Sequence, residues 1–409
     1  MTRWYLAFAA FAAALASFSG QPIERCWGAW AAIGYAAAAA IMAAAPQRRT
    51  IALGCAALGA TVAPLAWQAF AGLPSRAGEG SLTVVAQAGR ELLRHGTPYL
   101  PAAGLNHVLA YNPYAPLMAV FGLPNAAGLT GWPASPRLWL TLAAAPCVYL
   151  AFRVPGAPPR QALRRTTLAI ASPVLALPLV AGSTDLPVIA LLGAALALTA
   201  PAGSSSRRTT LAALAAGAAC ALKAIAWPAV PVIAAMLAAS QGRRTGGRFA
   251  ATAVLACVAA TLVAAPAALL APDATAVNAV LFPLGLTRRR TPAASPLPGH
   301  LLATAGPAGQ WAAFALLAAA ALGVAGWLAV RSPRDTRAAT VRLAVALTAA
   351  CTLAPAARWG YYGYPLALLG WLGLSRRAAS CSYSSERSVA TPSASSVSAA
   401  GVGVAAAAD

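Results

Sequence analysis

Long uncharged apolar stretches alternate along the chain with short segments that hold most of the charge. Four runs, Trp27 to Ala45, Ile51 to Ala71, Phe249 to Ala271 and Trp311 to Val330, are long enough to cross a hydrocarbon layer of about 30 Å at about 1.5 Å per residue. Shorter or proline-interrupted runs lie at Trp4 to Phe18, Leu138 to Phe152, Thr167 to Ala181, Leu186 to Ala200, Leu211 to Leu222, Ile225 to Ala239, Leu343 to Ala356 and Tyr361 to Leu374. Several of these are Ala-rich and need a hairpin neighbour to shield them. The pattern predicts an all-α, polytopic transmembrane helix bundle of about twelve crossings.

The basic residues orient that bundle. With Arg3 in the cytoplasm, Arg48 and Arg49 return there after two crossings. They are followed by Arg153 to Arg165, Arg207 and Arg208, Arg243 to Arg248, Arg331 to Arg342, and Arg376 and Arg377. Both termini are therefore expected on the cytoplasmic side of a plasma membrane. Residues 1–377 form the expected membrane domain, and 378–409, rich in Ser and Ala without helical period, read as a disordered tail. Arg3 before an apolar stretch, with small residues near Ser17 to Gly20, also suits a cleaved signal peptide, but an uncleaved first helix fits the later topology better.

Composition sharpens the picture. Charged residues make up 9% of the 409 positions, against about 25% in soluble domains, and mean hydropathy is +0.68, which excludes an ordinary soluble globule. The net charge of +21 would suit a nucleic-acid partner on a polar surface, but here arginines punctuate apolar runs, so membrane lipid is the expected environment. Seven cysteines, five of them inside apolar runs, imply no disulfide framework.

The expected outer face holds two long loops, Gly72 to Arg137 and Pro272 to Gln310, and three tight turns. All three histidines, the single lysine and the acids Glu79, Glu91, Asp185 and Asp273 fall there, where the topology rule does not call for charge. Leu82 to Arg94 predicts a short amphipathic interfacial helix, stopped by Gly96 and Pro98. The tyrosines and prolines that follow, through Tyr111-Asn112-Pro113-Tyr114, suit either an aromatic interfacial anchor or a sugar-binding lip.

Asp185, in Gly182-Ser183-Thr184-Asp185, is either a helix cap or a site carboxylate. Lys223 must snorkel, pair with an acid or hold an anion. Arg288-Arg289-Arg290 either faces outward, offering fork-shaped donors to a phosphate, or marks a slip of one crossing in the path. Arg358, beside Trp359, Tyr361, Tyr362 and Tyr364, repeats the theme of a cation among aromatics. No HExxH, paired-Cys zinc spacing or P-loop is present, which disfavours ATP-driven transport and metalloprotease readings; no cofactor and no metal-ligating residue is expected, and no residue type here reports on dependence on a divalent metal.

The order Gly96-Thr97-Pro98-Tyr99, Tyr111 to Leu117, Gly182 to Asp185, then Leu222-Lys223 before Trp227-Pro228, resembles the actinobacterial integral-membrane glycosyltransferases of the GT-C superfamily, family 87 in particular. The likeness covers Leu82 to Ala239, with Arg358 to Pro365 matching a C-terminal element. It implies a GT-C-like bundle that moves a sugar, mannose in the family pattern, from a polyprenyl-phosphate donor to a glycan or lipid acceptor of the envelope. On that reading Glu79 is the expected general base with Glu91 second, and Lys223, Arg358 and Arg288 meet the lipid phosphate. Asp185 would orient donor or acceptor, and Tyr99, Asn112, Tyr114 and His95 would line the sugar lip. The family pattern leads into its first loop with an acid, often Asp; Glu79 and Glu91 stand nearest to it here without matching its position. The rival expectation is a non-catalytic transporter or envelope-assembly scaffold, which would show ionisable groups and broken helices at mid-membrane.

Overall fold

The computed structural model describes residues 1–70, 80–200 and 205–375, and their regular structure is helical apart from one isolated bridge between Ala294 and Ala357. Glu79 and the expected tail lie outside the described residues. The principal helices are α1 (Thr2–Phe18), α2 (Pro22–Ala44), α3 (Arg49–Phe70), α4 (Gly80–His95), α5 (Pro136–Arg153), α6 (Pro159–Ile170) and α7 (Pro173–Ala181). After them come α8 (Asp185–Leu198), α9 (Ser206–Leu222), α10 (Ala229–Gln241), α11 (Arg243–Ala264), α12 (Pro307–Val330), α13 (Thr336–Leu353) and α14 (363–375).

Length and composition mark this as a membrane protein. Five spans pass both tests, Pro22–Ala44, Arg49–Phe70, Ala224–Gln241, Arg243–Ala264 and Pro307–Val330, and a sixth is obtained if α6 and α7 are joined across their 69° bend. The four long runs read from the sequence are all among them. The larger count of about twelve is not recovered on these criteria, because several helices are short: α8, with 14 residues, is about 21 Å long at about 1.5 Å per residue. Burial runs opposite to the rule for soluble proteins. The apolar window of α12, mean hydropathy 2.2, is only 11% buried, whereas that of α2, mean hydropathy 1.4, is 44% buried. Among these five spans the most apolar is the most exposed, as expected where lipid is the solvent.

The helices approach through small residues, which bring backbones close where lipid offers no hydrophobic push between helices. Gly28 of α2 lies against Ala12 and Ala16 of α1, Gly34 of α2 against Gly59 of α3, and Gly217 of α9 against Ala253 and Cys257 of α11. Proline leaves a gap that a side chain fills. Pro64 has no N–H for the carbonyl four residues back at Ala60, a stretch that widens into a π-turn over Leu58–Val62, and the buried Trp27 indole donates to that carbonyl at 2.8 Å.

At the centre stands α8, apolar all round and buried along nearly its whole length. Its C-terminal end leads toward Arg207 and Arg208 in the first turn of α9, and α10 leads likewise to Arg243 and Arg244. The opposite end of this group carries Asp185 and Lys223. The expected amphipathic helix is present as α4, ended by Gly96 at φ +68°. Its apolar face does not lie free in an interface. It packs on the turn Pro116–Gly122, with Gly89 against Gly122, and that turn also touches α9 and α11.

Gly217→Val is expected to weaken the α9–α11 contact, since a side chain there would meet Ala256 Cβ at 2.8 Å and the Cys257 nitrogen at 3.1 Å. The loss should be about 1–3 kcal/mol, read from unfolding in mixed micelles.

Candidate functional site

Helix α7 ends at Gly182, whose φ of +80° favours glycine and whose missing side chain leaves room for Leu82 Cδ1 and Arg137 Nε, 2.6 and 2.9 Å from where a Cβ would stand. The chain then reverses through Ser183 and Thr184 into α8. The Ser183 hydroxyl accepts the Asp185 N–H at 3.2 Å and donates to Asp185 Oδ2 at 3.1 Å. Asp185 is the first residue of α8 rather than its cap, and the cap residue, Thr184, makes no capping bond through its side chain.

The other carboxylate oxygen of Asp185 takes the Lys223 ammonium and, at 2.6 Å, the Tyr364 hydroxyl of α14. Lys223 follows the last residue of α9 with extended backbone, φ −158° and ψ 134°. Its Nζ lies 5.5 Å from the centre of the Tyr114 ring and 4.8 Å from that of Tyr361, so the ammonium is held by one carboxylate and two aromatic rings. The pair is nearly dry, with 12% of the Lys223 side chain and 13% of the Asp185 side chain exposed. Ala115 N–H also donates to Leu222 O at 3.2 Å, tying the Tyr114 loop to the residue before Lys223. Of the readings open for Lys223, pairing with an acid is the one the geometry contains.

The tyrosine-proline loop forms a network of its own. Tyr99 donates its hydroxyl to Tyr114 O at 2.8 Å, and burial pushes that phenol above the ordinary tyrosine range. The Asn112 amide donates to Pro98 O at 3.3 Å, and its oxygen accepts the Tyr114 N–H at 3.1 Å. Asn278, wholly buried, accepts the Asn112 N–H at 2.9 Å and donates to Leu100 O and Ala274 O. Tyr111 stacks on Phe282 at 4.4 Å. Tyr99 and Asn112 thus spend their polar atoms on the loop itself and position Tyr114 against Lys223.

Among the described residues, the side chains of Glu91, His95, Arg288 and Arg358 make no hydrogen bond or ion pair with this cluster. Glu91 pairs with His95 at 3.7 Å along α4, with the His95 side chain exposed. Arg288 is exposed, and its neighbour Arg289 donates to Asn106 O at 3.1 Å. Arg358 is half-buried just before the turn Trp359–Tyr362, within the segment that supplies Tyr361 and Tyr364. Ser183, Tyr361 and Tyr364 stand inside motifs legible in the sequence, but nothing in those motifs assigns them to the site. The recurring cation beside aromatics was the signal that could have singled out the tyrosines.

An apolar cavity of about 560 Å3 begins one turn along α8 from Asp185 and extends to the opposite end of the bundle, where Met1, Phe152 and Leu374 line it; none of the cluster residues does. Ile189 and Gly193, one and two turns along α8 from Asp185, line it with Leu366 and Trp371 of α14 and Trp4 and Phe8 of α1. Comparison with known proteins finds no matching family model, no similar curated protein and no similar solved structure.

Tyr364→Phe removes a hydrogen bond to a charged group and is expected to destabilise by about 1.5–3 kcal/mol. Ser183→Ala, which removes the longer bond to the carboxylate, 3.1 Å against 2.6 Å, should lose less. Unfolding of the two variants side by side in mixed micelles checks the order.

Proposed function

We propose that the protein is an integral-membrane glycosyltransferase of GT-C type, taking a sugar from a polyprenyl-phosphate donor at the outer face of the plasma membrane. The observation that carries this reading is the convergence on one polar cluster of segments distant in sequence. Tyr114, Ser183, Asp185, Lys223, Tyr361 and Tyr364 come from the very motifs on which the family resemblance rests. The cluster lies at the helix ends opposite the arginine-rich turns, which supports an extracytoplasmic site. The apolar cavity that begins one turn along α8 from Asp185 and runs to the opposite end of the bundle offers room for the hydrocarbon of a lipid-linked donor.

In the reaction, the acceptor hydroxyl attacks the anomeric carbon as its proton passes to a carboxylate. The bond from that carbon to the phosphate oxygen breaks, and polyprenyl phosphate leaves with the negative charge. Lys223 and Arg358 are assigned to that charge. The Lys223 ammonium has three donor hydrogens, and the Asp185 bond uses one. Asp185 is then an orienting group, already committed to Lys223, Tyr364 and Ser183. The proton acceptor remains Glu79, with Glu91 second, and mannose is the sugar the resemblance favours.

Membranes carrying the protein, incubated with radiolabelled polyprenyl-phosphate mannose, should label a glycan or lipid acceptor. Lys223→Gln should lower the rate by about 10²-fold, and joint replacement of Glu79 and Glu91 by Gln should abolish it. Transfer at the wild-type rate in that double variant rejects the assignment of the base. Absence of labelled acceptor with any polyprenyl-phosphate sugar rejects the function.

A further inference from the structure

One cation at the same end of the bundle has no acidic partner among the described residues. Arg137, in the first turn of α5, is 7% exposed. Its Nη1 donates to the side-chain oxygen of Gln68, near the end of α3, which is 4% exposed. The ion pairs among the described residues join Glu91 to His95 and Asp185 to Lys223, and neither includes Arg137. Two buried donors are left over, Arg137 Nε and Gln68 Nε2.

The local field adds to this excess. Arg137 stands at the N-terminus of an 18-residue helix, where the aligned peptide dipoles are already positive. Side chains of a first turn lean toward that terminus. Ser135, the preceding cap residue, makes no capping bond through its side chain. A guanidinium N–H and a carboxamide N–H are both donors, and what they lack in common is an anion. A buried charge without a counter-ion is unfavourable, so the protein gains by binding one.

We propose that Arg137 and Gln68, at the N-terminus of α5, bind a phosphate-class oxyanion on the flank of the turn Gly182–Asp185. The guanidinium already rests against that turn, its Nε 2.9 Å from where a Gly182 side chain would begin. Occupancy of the anion site therefore braces the segment that presents Ser183 and Asp185. The ligand is either a free phosphate or the headgroup of a lipid, and the site follows from the donors alone, independent of glycosyl transfer.

The purified full chain in micelles of a neutral detergent separates these sources. Its thermal midpoint is measured at constant ionic strength with inorganic phosphate, with phosphatidic acid in the micelle, and with phosphatidylcholine as the control. A rise of a few degrees with phosphate identifies a free anion, and a rise only with phosphatidic acid identifies a lipid headgroup. Arg137→Gln should melt above the wild type without anion and lose the response. Should Arg137→Gln fail to fold, Gln68→Glu carries the test, because it supplies a counter-ion from within; it should raise the midpoint without anion and abolish the shift. A wild-type midpoint indifferent to both phosphate sources, or a Gln68→Glu protein that keeps the wild-type shift, overturns the proposal.

Discussion

A carboxylate and an ammonium held together out of water govern the arrangement of this bundle. Each charge alone would be strongly disfavoured in an apolar interior, and their mutual attraction offsets that only when further hydrogen bonds complete the pair. Ser183 and Tyr364 complete the carboxylate, and the faces of Tyr114 and Tyr361 receive the ammonium. Satisfying these groups obliges the start of α8, the end of α9, the start of α14 and the tyrosine-proline loop to meet at one place. Asp185 and Tyr364 are 179 residues apart, and Asn112 and Asn278 are 166 apart.

The rest of the bundle makes that meeting possible with little polarity. Glycine and alanine contacts bring α1, α2 and α3 together, and α9 and α11, so that the central helix α8 can be sheathed in apolar neighbours. Around this packed centre the five long spans become more apolar as they become more exposed, ending in α12. The polar cluster is confined to one end of the centre, at the start of α8 and the end of α9.

Much of the architecture is legible in the sequence because its causes are local. The long apolar runs became spans, the alternation in Leu82 to Arg94 became α4, and Gly96 ended it where a left-handed residue is needed. The number of crossings was less legible, since an Ala-rich run of about 15 residues has the same composition whether it spans a membrane or lies buried like α8. The site was legible as motifs and not as contacts. Lys223 announced itself as the single lysine among apolar residues, but nothing local to it indicates that Tyr364 shares its carboxylate. Arg137 was hidden for a different reason: in a chain punctuated by arginine, one more at the edge of a loop looks like topology, and only its burial against Gln68 separates it from the others.

Asp185 and Lys223 act as one unit. A double-mutant cycle of Asp185→Asn and Lys223→Met, read as unfolding free energy in mixed micelles, tests it most directly. Each single variant leaves a buried partner uncompensated and should lose about 3–5 kcal/mol, while the double variant should recover a large part of that loss. Additive losses, with the double variant no better than the sum of the two, would contradict the account.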